Sequence, residues 1–90
     1  MDEDIANEIK RFILRKLVRQ NRWMHKHTSI HNLRKGLPDR LKSRKEVKKV
    51  IDNLLKEKFL LSKPTHYGLE VSLNIKKKKE IEEFVLSNGF

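Results

Sequence analysis

Apolar residues recur at spacings of three and four in two long stretches of the chain and alternate in a third. Ile5, Ile9, Phe12, Ile13 and Leu17 form one stripe, widened by Ala6, Leu14 and Val18, with Lys10, Arg11, Arg15, Lys16, Arg19 and Arg22 filling the rest of the turn. This predicts a helix running to about Arg19–Asn21, capped by Asp2 or Asp4, with Asp2, Glu3, Asp4 and Glu8 suited to its positive N-terminal end. The second stripe is Val47, Val50, Ile51, Leu54 and Leu55, opposed by Arg44, Lys45, Lys48, Lys49, Asp52 and Lys56. Ser43 and Glu46 ahead of it have the spacing of a capping box, so this helix is predicted over Ser43 to Phe59. In the third stretch Leu69, Val71 and Leu73 alternate with Glu70, Ser72 and Asn74, which reads as a strand with one buried face.

The segments between these follow from local chemistry. Trp23 and Met24 read as apolar plugs beside the end of the first helix. His25 to Leu33 is a short extended piece entering a brief helix, capped by Thr28 or Ser29, with Ile30 and Leu33 turned inward. Gly36 is expected to end it in a left-handed conformation, and Pro38 to forbid its continuation, leaving residues 36–42 as a connection. Phe59 to Lys63 predicts a strand, Pro64 to Gly68 a turn, and Asn74 the cap of a last helix with Ile75, Ile81, Phe84 and Val85 facing in and Asn88–Gly89 as its stop. The order is helix, short strand, helix, basic helix, strand, turn, strand, helix. That order predicts an α+β fold of the winged helix-turn-helix kind: a three-helix core, a two- to three-stranded antiparallel wing and a C-terminal helix, in one domain over residues 1–90.

Two segments carry a resemblance. HTSIHNLRKGLP (His27 to Pro38) and KPTHYGLEVSLN (Lys63 to Asn74) resemble a group of small archaeal winged-helix proteins of unassigned function. The resemblance spans roughly residues 25 to 85 and is most specific in the turn and last strand. It implies the fold directly and a DNA-binding, transcription-regulating role by analogy, since winged helices also serve as protein-interaction modules. Ile75 departs from the pattern, which has a helix-starting proline there, and this predicts a softer start to the final helix.

Charge adds a partner to this picture. The chain carries a formal net charge of +10, and the segment from Lys10 to Lys49 holds fifteen Lys and Arg against only Asp39 and Glu46. A field this lopsided exceeds what solubility requires and suits a polyanion. The absence of cysteine excludes disulfides and thiolate metal sites and fits a cytoplasmic setting. The acidic start does not read as a signal peptide, and no apolar run approaches the roughly 18 residues of a membrane span.

The candidate nucleic-acid-binding residues fall in three groups. On the basic helix they are Arg44, Lys45, Lys48 and Lys49, with Ser43, Arg40 and Lys42 at its leading edge; Arg44 is the best placed for a bidentate guanine contact and the lysines suit phosphates. Asp52 shares the face and repels phosphate. The short second helix offers Thr28, Ser29, Arg34 and Lys35 to a backbone, with His31 beside them, and the wing offers Lys63, Thr65, His66 and Tyr67, of which Tyr67 has packing on the sheet as its alternative role. His25, His27 and His31 lack the carboxylate or thiol that would complete a metal site, and no phosphate loop, nucleophile elbow or carboxylate pair points to catalysis or to a cofactor. The expectation is a non-catalytic protein binding duplex DNA as a transcriptional regulator or chromatin-type binder. The alternative is an RNA- or protein-interaction module in a ribosome- or transcription-associated assembly. Leu14, Val18, Phe84, Leu86 and Phe90 leave both monomer and homodimer open.

Overall fold

The computed structural model describes residues 3–87; the expected cap at Asp2, the stop at Asn88–Gly89 and the seam residue Phe90 lie outside them. Among the described residues there are five α-helices and a three-stranded antiparallel sheet: α1 (Glu3–Arg19), β1 (Thr28–Ser29), α2 (Ile30–Lys35), α3 (Asp39–Lys42), α4 (Glu46–Lys56), β2 (Leu60–Thr65), β3 (Gly68–Leu73) and α5 (Lys78–Ser87). The sheet order is β1-β3-β2.

α1 is the spine. Ile9, Ile13, Leu14 and Leu17 are fully buried along it and share one core with Val47, Val50, Ile51 and Leu54 of α4, Ile81 and Val85 of α5, and Leu60, Val71 and Leu73 of the sheet. Ile5, Ala6, Phe12 and Val18 pack at its margin, so the stripe read from the sequence is the stripe that is buried. Leu14 is closed inside this core and is not available to a dimer seam; Leu86 is exposed.

β2 and β3 pair from Leu60↔Leu73 to Thr65↔Gly68, which leaves His66 and Tyr67 as a two-residue turn, tighter than the expected Pro64–Gly68 loop. Gly68 has φ +118°, where a side chain is strained whatever the space around it. β1 adds the third strand through Thr28↔Val71 and Ser29↔Glu70. The alternation expected in β3 holds only for Val71 and Leu73. Ser72 and Asn74 are buried as well, and Leu69 is 38% exposed. β3 is the middle strand, and past Ser72 it is flanked by β2 on one edge and by the Arg22–Met24 segment on the other, with Leu73 N–H bonded to Arg22 C=O and Met24 N–H to Leu73 C=O. Edge pairing satisfies the backbone there, and the burial of Ser72 and Asn74 means that the second face of the strand's end is covered as well.

Three local expectations change. Gly36 is right-handed (φ −80°), and its N–H reaches back to the Asn32 carbonyl. The Lys16 side chain lies over Gly36 and donates to Asn32 C=O at 3.1 Å, so a Cβ at residue 36 would make that flexible side chain swing aside. Residues 39–42, expected as connection, form the one-turn helix α3 behind Pro38, with Leu41 buried. The capping box does not form. α4 begins at Glu46, and the Glu46 carboxylate accepts from the Arg44 guanidinium instead of from Ser43 N–H. Asn74 does cap, accepting from Lys76 N–H, but it opens a 3₁₀ turn over Ile75–Lys77 before α5, and Ile75 is 45% exposed instead of inward.

Candidate nucleic-acid interface

The outward face of α4 is set by the burial of its other face. Val47, Val50, Ile51 and Leu54 go in, so Lys45, Lys48, Lys49, Asp52, Asn53 and Lys56 come out, all exposed. A hollow of about 360 Å³ lies along one margin of this stripe, lined by Ile30 and Arg34 of α2, Lys48, Ile51, Asp52 and Leu55 of α4, and Leu69 of β3. It therefore brings the second helix, the basic helix and the hairpin to one side of the molecule.

Within that frame the predicted residues separate. Lys49 presents its charge without a described acidic partner, Lys45 adds its charge to the field that lowers the Glu46 carboxyl, and Lys48 pairs with Asp52 at 3.0 Å. Arg44, the expected guanine reader, is bound to Glu46 through two hydrogen bonds of 3.2 and 3.1 Å. That guanidinium holds the Glu46 carboxyl below its ordinary 4.5, so the pair is ionised at neutral pH. Arg40 forms an ion pair with Glu8 and ties α3 to α1; the guanidinium lowers the Glu8 carboxyl and the carboxylate raises Arg40. Lys42 turns to Asp39 at 3.4 Å, and Ser43 is exposed at the turn before α4.

The second group divides too. Thr28 is 8% exposed in β1, and the Ser29 hydroxyl is occupied as the N-cap of α2, accepting from Asn32 N–H at 3.0 Å. Arg34 faces the hollow beside α4, but Lys35, one residue on, lines a different hollow with Lys16 and Arg22. At the hairpin the Thr65 hydroxyl closes the turn, accepting from Tyr67 N–H and donating to Gly68 C=O. His66 and Lys63 are exposed, and Tyr67 is 100% exposed, so it does not pack on the sheet. Lys63 faces Glu70 across the ladder. The hollow thus brings together Arg34 and Lys48 of the predicted residues; Lys45 and Lys49 share the exposed stripe of α4, and Lys63, His66 and Tyr67 are exposed on the hairpin that borders it. Lys56 extends the same stripe by two turns from Lys49, and its periodicity marked it as outward although it was not among the expected contacts.

His25, His27 and His31 are not gathered: no group of three or more His, Asp or Glu among the described residues is placed to hold a metal ion. No helix among them is long and apolar enough to cross a membrane. No protein-family model, curated protein or solved structure matches the chain.

Proposed function

We propose that the chain is a non-catalytic winged-helix protein that binds duplex DNA, with α4 lying against the groove and the β2–β3 hairpin serving as the wing. The observation that carries this reading is the hairpin tip. A tyrosine fully exposed on a two-residue turn, beside His66 and near Lys63, contributes nothing to packing, and leaving a ring of this size in water has no folding benefit. It sits on a hairpin that borders the same hollow as the basic stripe of α4. Protein groups of this chemistry meet the backbone and the minor groove from such a position.

The engagement of Arg44 with Glu46 and of Lys48 with Asp52 sharpens the mode of binding. Lysines placed as point charges neutralise phosphates and discriminate little between bases. Binding is therefore backbone-led. With about six to eight phosphates neutralised, log affinity falls against log salt with a slope of roughly −5 to −7. Replacing Lys45 and Lys49 with alanine removes two exposed charges, of which Lys45 alone adds to the field around the Glu46 carboxylate, already held by Arg44. It is expected to flatten that slope by about 1.8 and to weaken duplex binding about 60-fold near 0.1 M salt, with the melting temperature lowered by no more than about 3 °C. An equal loss in a variant with Lys76, Lys77, Lys78 and Lys79 all changed to alanine would place the effect in bulk charge and overturn the assignment to α4.

A further inference from the structure

A second basic surface lies away from α4. Two adjoining hollows of about 300 Å³ each run along α1 and the end of α2, sharing Lys16, Gln20 and Gly36. Their cationic lining is Arg15, Lys16, Arg19, Arg22 and Lys35, and neither hollow is lined by an acid. The described partners of Lys16 and Arg22 are neutral: Lys16 Nζ donates to Asn32 C=O, and Arg22 donates to Gln20 Oε1 and His27 C=O. These bonds orient the cations without cancelling their charge.

The ordinary role of such residues is to complement helix ends, since Lys16 and Arg19 are in the last turn of α1 and Lys35 in that of α2. The magnitudes do not match that role. A helix C-terminus carries roughly half a negative charge, so two ends ask for about one cation. Lys16, Arg19, Arg22 and Lys35 alone supply four. About three positive charges are left over in one acid-free trough. This trough is also on the other flank of α1 from α4: α4 meets the side carrying Ala6, Asn7 and Lys10, whereas the trough follows Phe12, Lys16 and Arg19. It shares no residue with the stripe of α4.

We infer that the trough holds the phosphate backbone of a second DNA duplex, so that one molecule bridges two duplexes. The inference rests on the reading of α4 as the first duplex site. Charge fits the occupant: an elongated groove with guanidinium and ammonium groups and no acid suits a run of phosphates.

The test is a two-duplex capture. One biotinylated duplex is fixed on beads, protein is added, and retention of a second, fluorescent duplex is measured beside the affinity for a single duplex in solution. The wild-type chain is expected to retain the second duplex. Arg19→Glu with Lys35→Glu is expected to reduce that retention at least tenfold while changing single-duplex affinity less than threefold. Arg19→Gln with Lys35→Gln gives the same direction with less disturbance of the helix ends, and circular dichroism checks that both variants fold. Retention unchanged in both variants overturns the inference, as does a loss of single-duplex affinity equal to that of the Lys45, Lys49 variant. A preference of the trough for a structured RNA hairpin over the second duplex overturns the choice of occupant. Binding of one duplex without capture of another defeats bridging and leaves the proposed function standing. Failure to bind any duplex at low salt defeats both.

Discussion

Asp52 is the one acid on the outward stripe of α4, and its removal separates binding from stability. Its carboxylate takes the Lys48 ammonium at 3.0 Å, with the two side chains 58% and 77% exposed. Two unit charges at that distance attract by about 1.4 kcal/mol in the dielectric of water. Side-chain ordering and salt reduce the net worth of an exposed pair to about 0.3–0.5 kcal/mol, and less here because lysine precedes the acid, the weaker orientation on a helix. Asp52→Asn is therefore expected to lower the melting temperature by no more than about 3 °C. On DNA the sign reverses. The change removes a repelling charge and frees Lys48 to meet a phosphate, which adds about 0.9 to the steepness of the log–log salt dependence. Near 0.1 M salt that equals about an eightfold gain in affinity. Fluorescence anisotropy with a labelled duplex at several salt concentrations reads both quantities, and a thermal melt reads the third. An unchanged slope, or weaker binding, would refute the placement of α4 against the backbone. A melting shift well beyond 3 °C would show the pair to be structural.

Two further outcomes follow from the fold. The carboxyls of Glu8 and Glu46 are held below their ordinary 4.5 by Arg40 and Arg44, so the unfolded chain binds more protons than the folded one as pH falls below about 4.5. Their contribution is present above that pH and is lost on acidification through the folded values; urea unfolding from neutral pH to about pH 2.5 should show this decline, and a Glu8→Gln, Glu46→Gln variant should show a flatter one. Lys58 sits at φ +67° after α4, a conformation that costs a side-chain-bearing residue about 1–2 kcal/mol. Lys58→Gly, after the entropy that glycine loses on folding, should stabilise by about 0.5 kcal/mol in the same assay, and a loss of stability would contradict the strain.

The helices were legible because burial follows spacing. Ile9, Ile13 and Leu17, and Val47, Val50, Ile51 and Leu54, are inside as their periodicity requires. What escaped reading depends on neighbours distant in sequence. Ser72 and Asn74 looked solvent-facing, but chain distant in sequence buries both, and nothing local signals that. Gly36 carries no mark of the Lys16 side chain that crosses it, twenty residues earlier in the chain. The basic surface was read as one field from composition, whereas Arg34 and Lys35 point into different hollows. Arg44 was the candidate reader by residue type alone, but α4 begins only at Glu46, and the Glu46 carboxylate expected to reach back to Ser43 holds the Arg44 guanidinium instead.

Asn74 clasps the root of the hairpin. Its side-chain amide donates to Lys58 C=O at 2.8 Å and its backbone N–H to Phe59 C=O at 3.1 Å, joining the residues just before β2 to the residue just after β3. Its side-chain oxygen meanwhile accepts from Lys76 N–H and starts the turn that leads into α5. An arm fastened at both of its roots and to the next helix has no hinge at its base. In the proposed complex the β2–β3 hairpin would act as a stiff lever, and adjustment to a groove would be left to the tip residues His66 and Tyr67 and to the long side chain of Lys63. Such an arm has little ordering to lose on contact, so its residues contribute to affinity without first being folded into place.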